Sequence, residues 1–332
     1  MSNLPKLVLL GLCYLMSWPL QCQADGPGTM TKIHFLIPAG PGGGWDGTAR
    51  GIGLALKSSG LVEHLSYENL SGGGGGRAIA KMIETAHRQQ NTLLINSTPI
   101  IVRSLQGIFP QSFRDLVPIA SVIADYSCFA VQADSTFKTF KDLSQQFIQD
   151  PESIIVAGGS VRGNTDHFVL ARALQLAGGD PRMVNYLSYD GGGRAMAGIL
   201  SGEATVLSTG LSEAIQMQRS GLIRILAVTA PAPLSDAPDL PILKRQGINL
   251  EFANWRGFFA AKGLSQAQYD KMTGVLNKLV RTPEFEVIRA RNSWARLHRQ
   301  GPEFYAFLEQ QEIQITALMR AVGYLKTQKI AI

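Results

Sequence analysis

Apolar residues recur along the chain with two alternating periods. Residues 31–37 alternate and are β-rich, which predicts a strand. Ala49, Ile52 and Leu56 then fall at helical spacing and predict a helix over 48–58. The scheme continues with a strand at 65–70, a helix at 78–86 and a strand at 93–96. A long apolar run at 119–131, broken by Asp125, is placed to cross between two bodies. A helix at 138–148 stops at Asp150-Pro151. Strands at 154–157, 183–189, 204–209 and 223–229 then alternate with helices at 166–176, 194–200 and 211–219. A proline-rich loop, 231–241, precedes a strand-like run at 250–260 and helical stretches at 266–280, 283–292 and 302–322. Short strands separated by helices predict an α/β protein with parallel sheets.

The pattern contains a repeat. Gly74-Gly75-Gly76-Arg77-Ala78 recurs 117 positions later as Gly191-Gly192-Gly193-Arg194-Ala195. Each copy follows a strand candidate, opens a helix candidate, and leads to an apolar strand ending in small hydroxyl residues: Ser97-Thr98 and Ser208-Thr209. Upstream, strand 31–37 runs into the glycines of 40–47, as strand 154–157 runs into those of 158–163. The chain therefore reads as two similar halves with glycine-rich loops at strand ends, and a ligand cleft between them.

With 332 residues the chain has room for two domains, and the N-terminus changes the picture of where they work. Lys6, an apolar stretch over 7–16 and small or polar residues to Ala24 have the order of a secretory signal, with cleavage expected after Ala24. A buried N-terminal helix is the plainer alternative. Lipidation at Cys22 would need a small residue where Gln21 stands. Removal of 1–24 also removes Cys13 and Cys22, leaving Cys128 with no internal disulfide partner and no cysteine metal site. The expected compartment is a bacterial periplasm. The net charge of +6 is dispersed, without the basic stripe or interleaved aromatics of a nucleic-acid surface.

Gly42, Gly44 and Gly47 match the dinucleotide fingerprint by letter, with Glu63 or Glu68 as the ribose acid, but an exported protein meets little NAD. The more general physics is that glycines admit a ligand to the backbone, and unpaired first-turn N–H groups favour an anion. Asp46 reads as an N-cap for a helix starting near Gly47 or Thr48. Trp45 either walls the cleft or packs on the other lobe. In the second half, Ser160, Asn164 and Thr165 can donate to ligand carboxylates. Arg162 either does so bidentately or is a solvated loop cation. His167 reads as structural, and Arg77 and Arg194 as exposed. No nucleophile elbow, HExxH or Walker loop is present, and the 5 histidines lack metal-ligand spacing.

These residues together resemble a known family. Ile37-Pro38-Ala39-Gly40-Pro41-Gly42-Gly43-Gly44-Trp45-Asp46 is similar to the signature first loop of the tripartite tricarboxylate transporter solute receptors, also called Bug-type receptors. Tyr67-Glu68-Asn69, the loop from Gly159 to His167, Leu226-Ala227-Val228-Thr229 and Asn254-Trp255-Arg256-Gly257-Phe258-Phe259-Ala260 also fit. The resemblance implies a type II periplasmic-binding-protein fold: two lobes with mostly parallel sheets, joined by hinge strands. The expected division is a signal peptide at 1–24, one lobe from 25–124 and 252–332, and a second from 125–251. It implies a non-enzymatic, monomeric receptor without cofactor or metal. Such a receptor captures a small organic di- or tricarboxylate and hands it to integral-membrane permease subunits. Carried over, the ligand-binding residues are Gly42, Gly43, Gly44, Trp45, Asp46, Ser160, Asn164, Thr165 and Asp166, to which the strand ends add Ser97, Thr98 and Thr209. Arg162 departs from the small residue or proline expected there, and is included as an added cation. A secreted enzyme on a carboxylated or phosphorylated substrate, or a sensor subunit, are the rival readings.

Overall fold

The computed structural model describes residues 29–325; the expected signal peptide lies outside them. The first half runs β1 (Met30–Ile37), α1 (Gly44–Ser58), β2 (Val62–Asn69), α2 (Gly76–Glu84), β3 (Thr92–Ser97) and α3 (Pro99–Leu105). A 16-residue strand, β4 (Val117–Gln132), leads into α4 (Phe140–Gln149). The second half runs β5 (Ile155–Gly158), α5 (Thr165–Leu176), β6 (Asn185–Ser188), α6 (Gly192–Leu200), β7 (Val206–Gly210), α7 (Leu211–Arg219) and β8 (Ile223–Val228). The chain returns through β9 (Ala253–Ala260), α8 (Gln266–Leu279), α9 (Pro283–Arg291), β10 (Ala295–Gln300) and α10 (Gly301–Ala321).

The repeat in the sequence is a repeat in space. In one lobe β1 is flanked by β2 and β3, all parallel; in the other β5 is flanked by β6 and β7, again parallel. Among the described residues the antiparallel strand pairs each involve a crossing strand, β4 or β9. Along Val117–Tyr126, β4 pairs with β9; from Ser127 to Gln132 it pairs with β7 and β8. One strand thus belongs to both sheets, which is how the run broken by Asp125 crosses between lobes. The Thr229 hydroxyl clasps the crossing, donating to the Phe252 carbonyl (2.6 Å) and accepting from the Ser127 N–H (3.0 Å). This is the type II periplasmic-binding-protein fold.

Buried rows explain the strands. All six residues of β3 are buried, as a strand covered on both faces requires. Phe35, Leu93, Ile95, Phe258 and Phe259 meet Ile52, Leu56 and Leu276 from α1 and α8 in the first core. Each such side chain contributes roughly 1.5–3 kcal/mol by leaving water. A second cluster, with Ala157, Ile199, Leu207, Leu211 and Ile225, also holds Cys128, whose thiol burial pushes its pKa up. Helix α10 straps the lobes: the Ala321 carbonyl accepts from Gln175 of α5, and the Tyr324 hydroxyl meets His167 at 2.7 Å.

Candidate functional site

In both lobes the C-terminal ends of the parallel strands point at the interlobe cleft, so the loops that follow them, and the helix N-termini those loops open, surround one cavity of about 380 Å³. That is where an open α/β sheet binds its ligand. The first wall is Gly43, Gly44 and Trp45 at the start of α1. Gly43 is the N-cap, with no side-chain cap on the helix end. The N–H groups of the first turn have no partner within the helix and lie at the positive end of its dipole. The Trp45 indole donates to Ser97 Oγ at 2.9 Å, which holds the ring as the wall between α1 and β3. It packs within its own lobe.

The opposite wall is built from α5 and α6. Asn164 and Ser160 are inward-facing, but their oxygens are engaged: Asn164 Oδ1 accepts from Thr165 N–H (2.8 Å), and Ser160 Oγ from Asp166 N–H (3.1 Å). The first turn of α5 is therefore capped by its own loop. Helix α6 differs. It opens on Gly191 and Gly192 with no side-chain cap, and Gly191 holds the left-handed φ of 95° that only glycine adopts readily. Its glycines stand against α1: a Cβ added at Gly43 would lie 3.4 Å from Gly191 Cα. A Cβ on Gly193 would lie 3.1 Å from Gly42 O. The lobes meet backbone to backbone here, reinforced by Ser71 donating to Asp190 and Gln106 to the Gly163 carbonyl (2.9 Å).

The cavity floor is charged. Arg256 from β9 is 3% exposed; its Nη1 donates to Gly44 O (2.6 Å) and its Nη2 to Asp125 Oδ2 (2.6 Å). Asp125 also accepts from Ser212 of α7. Glu213, the third residue of α7, takes Thr209 Oγ1 (2.9 Å) and Gly210 N–H (3.3 Å) on Oε2. Burial pushes its carboxyl up. Asp166 is pushed to about 7, by burial first and then by the negative charge of Glu213. His167 is held the other way, at about 3, because it is buried between the rings of Tyr186 and Tyr324. Its Nδ1 accepts the Gly163 N–H at 2.9 Å, so the ring is neutral and structural.

A family model described as "Tripartite tricarboxylate transporter family receptor" matches residues 58–324. The chain belongs to the tripartite tricarboxylate transporter receptor family. Among curated relatives, the "UPF0065 protein in tcbD-tcbE intergenic region" of Pseudomonas sp. (strain P51) is 27% identical over 256 residues, 76% of this chain and 74% of that one. The solved structure of the periplasmic binding protein BugD superposes with a TM-score of 0.80 at 20% identity, covering 90% of this chain and 99% of BugD. MatC of Rhodopseudomonas palustris, solved with bound malate, gives 0.76 at 17% identity, over 88% and 99% of the two chains. At these identities the structures speak to the fold.

Against the expected ligand set, this receptor brings eight residues to the cavity: Gly43, Gly44, Trp45, Ser97, Ser160, Asn164, Thr165 and Asp166. Five others sit outside its lining. Gly42 lies behind Gly43, its N–H given to Asp46 Oδ2 (3.0 Å). Asp46 is no N-cap: the helix starts earlier, at Gly44, and the carboxylate is buried among Gly42, Arg50 and Asn69. Thr98 is buried behind the wall, and its N–H donates to Asn254. Thr209 is spent on Glu213. Arg162 is exposed and turns to the Tyr186 carbonyl (2.9 Å), which makes it a loop cation. The ligand-binding set read from sequence lacks Glu213, Arg256, Asn254 and the residues of the Gly72–Gly75 and Tyr189–Gly192 loops, all of which line the cavity. The duplicated glycine motif was the available signal for the loops. For Arg256 the signal was a charge inside an apolar run, matched by Asp125 in the other crossing strand.

Proposed function

We propose that this receptor works outside the cytoplasmic membrane, takes a small organic di- or tricarboxylate between its lobes, and delivers it unchanged, as a monomer, to integral-membrane permease subunits. The observation that carries the reading is the pair of uncapped, glycine-opened helix N-termini, α1 from one lobe and α6 from the other, which meet at the seam and line one cavity together. Each such end favours an anion by about 0.3–1 kcal/mol when exposed, and more when water is excluded. Neither lobe completes the seat alone, so an anion bound to both favours closure through differential affinity. We place the lobe boundaries near 124/125 and 251/252, close to where β4 changes partners. The bound malate of a relative with this fold supports the carboxylate class. Among the described residues no cluster of three or more metal-ligating side chains accompanies the cavity.

A thermal-shift screen of the mature protein against malate, succinate, adipate and citrate, followed by calorimetry, tests the reading. The expected result is saturable one-to-one binding of at least one carboxylate, with the compound recovered intact. Turnover of the bound compound, or no carboxylate binding at millimolar concentration, contradicts it.

A further inference from the structure

The cavity has two poles. One is the glycine-opened helix ends described above. The other is acidic: Asp166 and Glu213 both line the cavity, and the charge on Glu213 hinders ionisation of Asp166. Structural duty accounts for only part of this pole. The α7 cap uses Glu213 Oε2, whereas Oε1 is buried and has no hydrogen-bond partner. The Asp166 carboxyl takes hydrogen bonds from the Ser160 hydroxyl and from the Ser160 and Gly159 N–H groups, but burial and the charge on Glu213 outweigh them.

Arg256 lies near enough for its charge to favour the ionised Glu213, but burial outweighs it. Arg256 is the cationic side chain of the lining, and its two Nη groups are given to Gly44, Thr48 and Asp125. Arg77, Arg162 and Arg194 are exposed and lie outside the lining. A ligand carrying only carboxylates would bring a further negative charge to two acids already short of solvent. The poles are also adjacent: a Cβ on Gly192, at the start of α6, would fall within 2.0 Å of Glu213 Oε1. A molecule that satisfies both therefore holds its positive and negative groups side by side.

We propose that the ligand is an α-amino acid, its carboxylate on the N-termini of α1 and α6 and its ammonium accepted by Asp166 and Glu213. This rests on the carboxylate seat proposed above and adds an ammonium group to the ligand it takes. The ammonium supplies three N–H donors to the unpartnered Oε1 and to the Asp166 carboxyl, and offsets the charge that desolvation penalises.

Calorimetry at neutral pH on matched pairs tests it: L-aspartate against succinate, L-glutamate against glutarate, and the neutral L-amino acids against their des-amino acids. The expected result is an aminated compound that binds the wild-type protein at least tenfold more tightly than its des-amino partner. Asp166→Asn and Glu213→Gln should each reduce that ratio about tenfold or more, with folding checked by circular dichroism. If one variant fails to fold, the other and the wild-type ratio decide. Des-amino acids that bind the wild type as tightly as the aminated ones overturn the inference and leave the carboxylate reading standing. A wild-type ratio that both folded variants retain overturns the role of the acids. If no member of any pair binds, the carboxylate reading falls and takes this inference with it.

Discussion

At the residue scale the site turns on side chains that are absent. Gly43 has an ordinary extended backbone (φ −84°, ψ 172°), so a substitution there meets no local strain. What it meets is the other lobe, 3.4 Å from a new Cβ. We expect Gly43→Val to lose at least 100-fold in ligand affinity by calorimetry while its unfolding midpoint in urea stays near that of the wild type. Asp166 makes a second expectation. With a folded pKa of about 7 against an ordinary 3.8, it keeps its proton where the unfolded chain has lost it. Stability from this group therefore falls as pH rises from about 4 to about 7, and is level above. Glu213, also raised, has the same sign. His167, held at about 3 against 6.5, has the opposite sign: it removes stability as pH drops through that window. Wild-type protein blends these slopes, so the variant is needed. The stability of Asp166→Asn relative to wild type should climb between about pH 4 and pH 7, by at most about 4 kcal/mol for a shift of this size. Urea unfolding at several pH values reads it; a difference that does not change with pH contradicts it. Sequence exposed Gly43, Trp45 and Asn164 as wall residues because loop position alone places them. It misread Asp46 as an N-cap and left Arg162 open between ligand contact and loop cation, because the direction of a side chain depends on neighbours far along the chain, Asn69 for one and Tyr186 for the other.

At the element scale the crossing strands matter most. The Asp125–Arg256 pair joins β4 to β9 and, through Ser212, Gly44 and Thr48, ties α7 and α1 to the same point. Both partners are buried, so removing one strands the other. Asp125→Ala should cost about 3–5 kcal/mol in urea unfolding, and should weaken ligand binding because Gly44 loses its anchor. A loss below about 1 kcal/mol would show that the pair does not hold the hinge. Most helices and strands were legible from periodicity, and their starts moved by a few residues. Two elements were not. Helix α3 reads Pro-Ile-Ile-Val-Arg-Ser-Leu, a β-branched run whose only helical cue is proline in its first turn; Pro99 through Arg103 are all buried, and packing overrides propensity. Strand β10 reads Ala-Arg-Leu-His-Arg-Gln, without an apolar face that separates it from a loop, and forms because β4 offers it a partner.

At the scale of the whole molecule, a repeated half-sequence became two lobes facing one cavity, and the glycine motif that announced the repeat supplies both the second-lobe helix end and the seam. Beside the cavity the seam is glycine backbones, a serine–aspartate contact and a glutamine donor, and farther out Arg289 pairs with Asp236 (3.0 Å) and Gln216 donates to the Arg291 carbonyl. A joint of this kind opens without tearing a core, while β4, β9 and the α10 strap keep the lobes together. Bound ligand should raise the stability of the closed form by about 2.7 kcal/mol at one hundred times its dissociation constant. It should also compact the particle in small-angle scattering relative to the ligand-free protein. A scattering profile unmoved by saturating ligand would count against closure.

A crystal structure of the liganded receptor weighs the central claim most directly. The account predicts a carboxylate whose oxygens lie within about 3.2 Å of backbone N–H groups from the first turns of both α1 and α6. Density for the ligand outside the interlobe cavity, or resting on one lobe with the other helix end turned away, would contradict it.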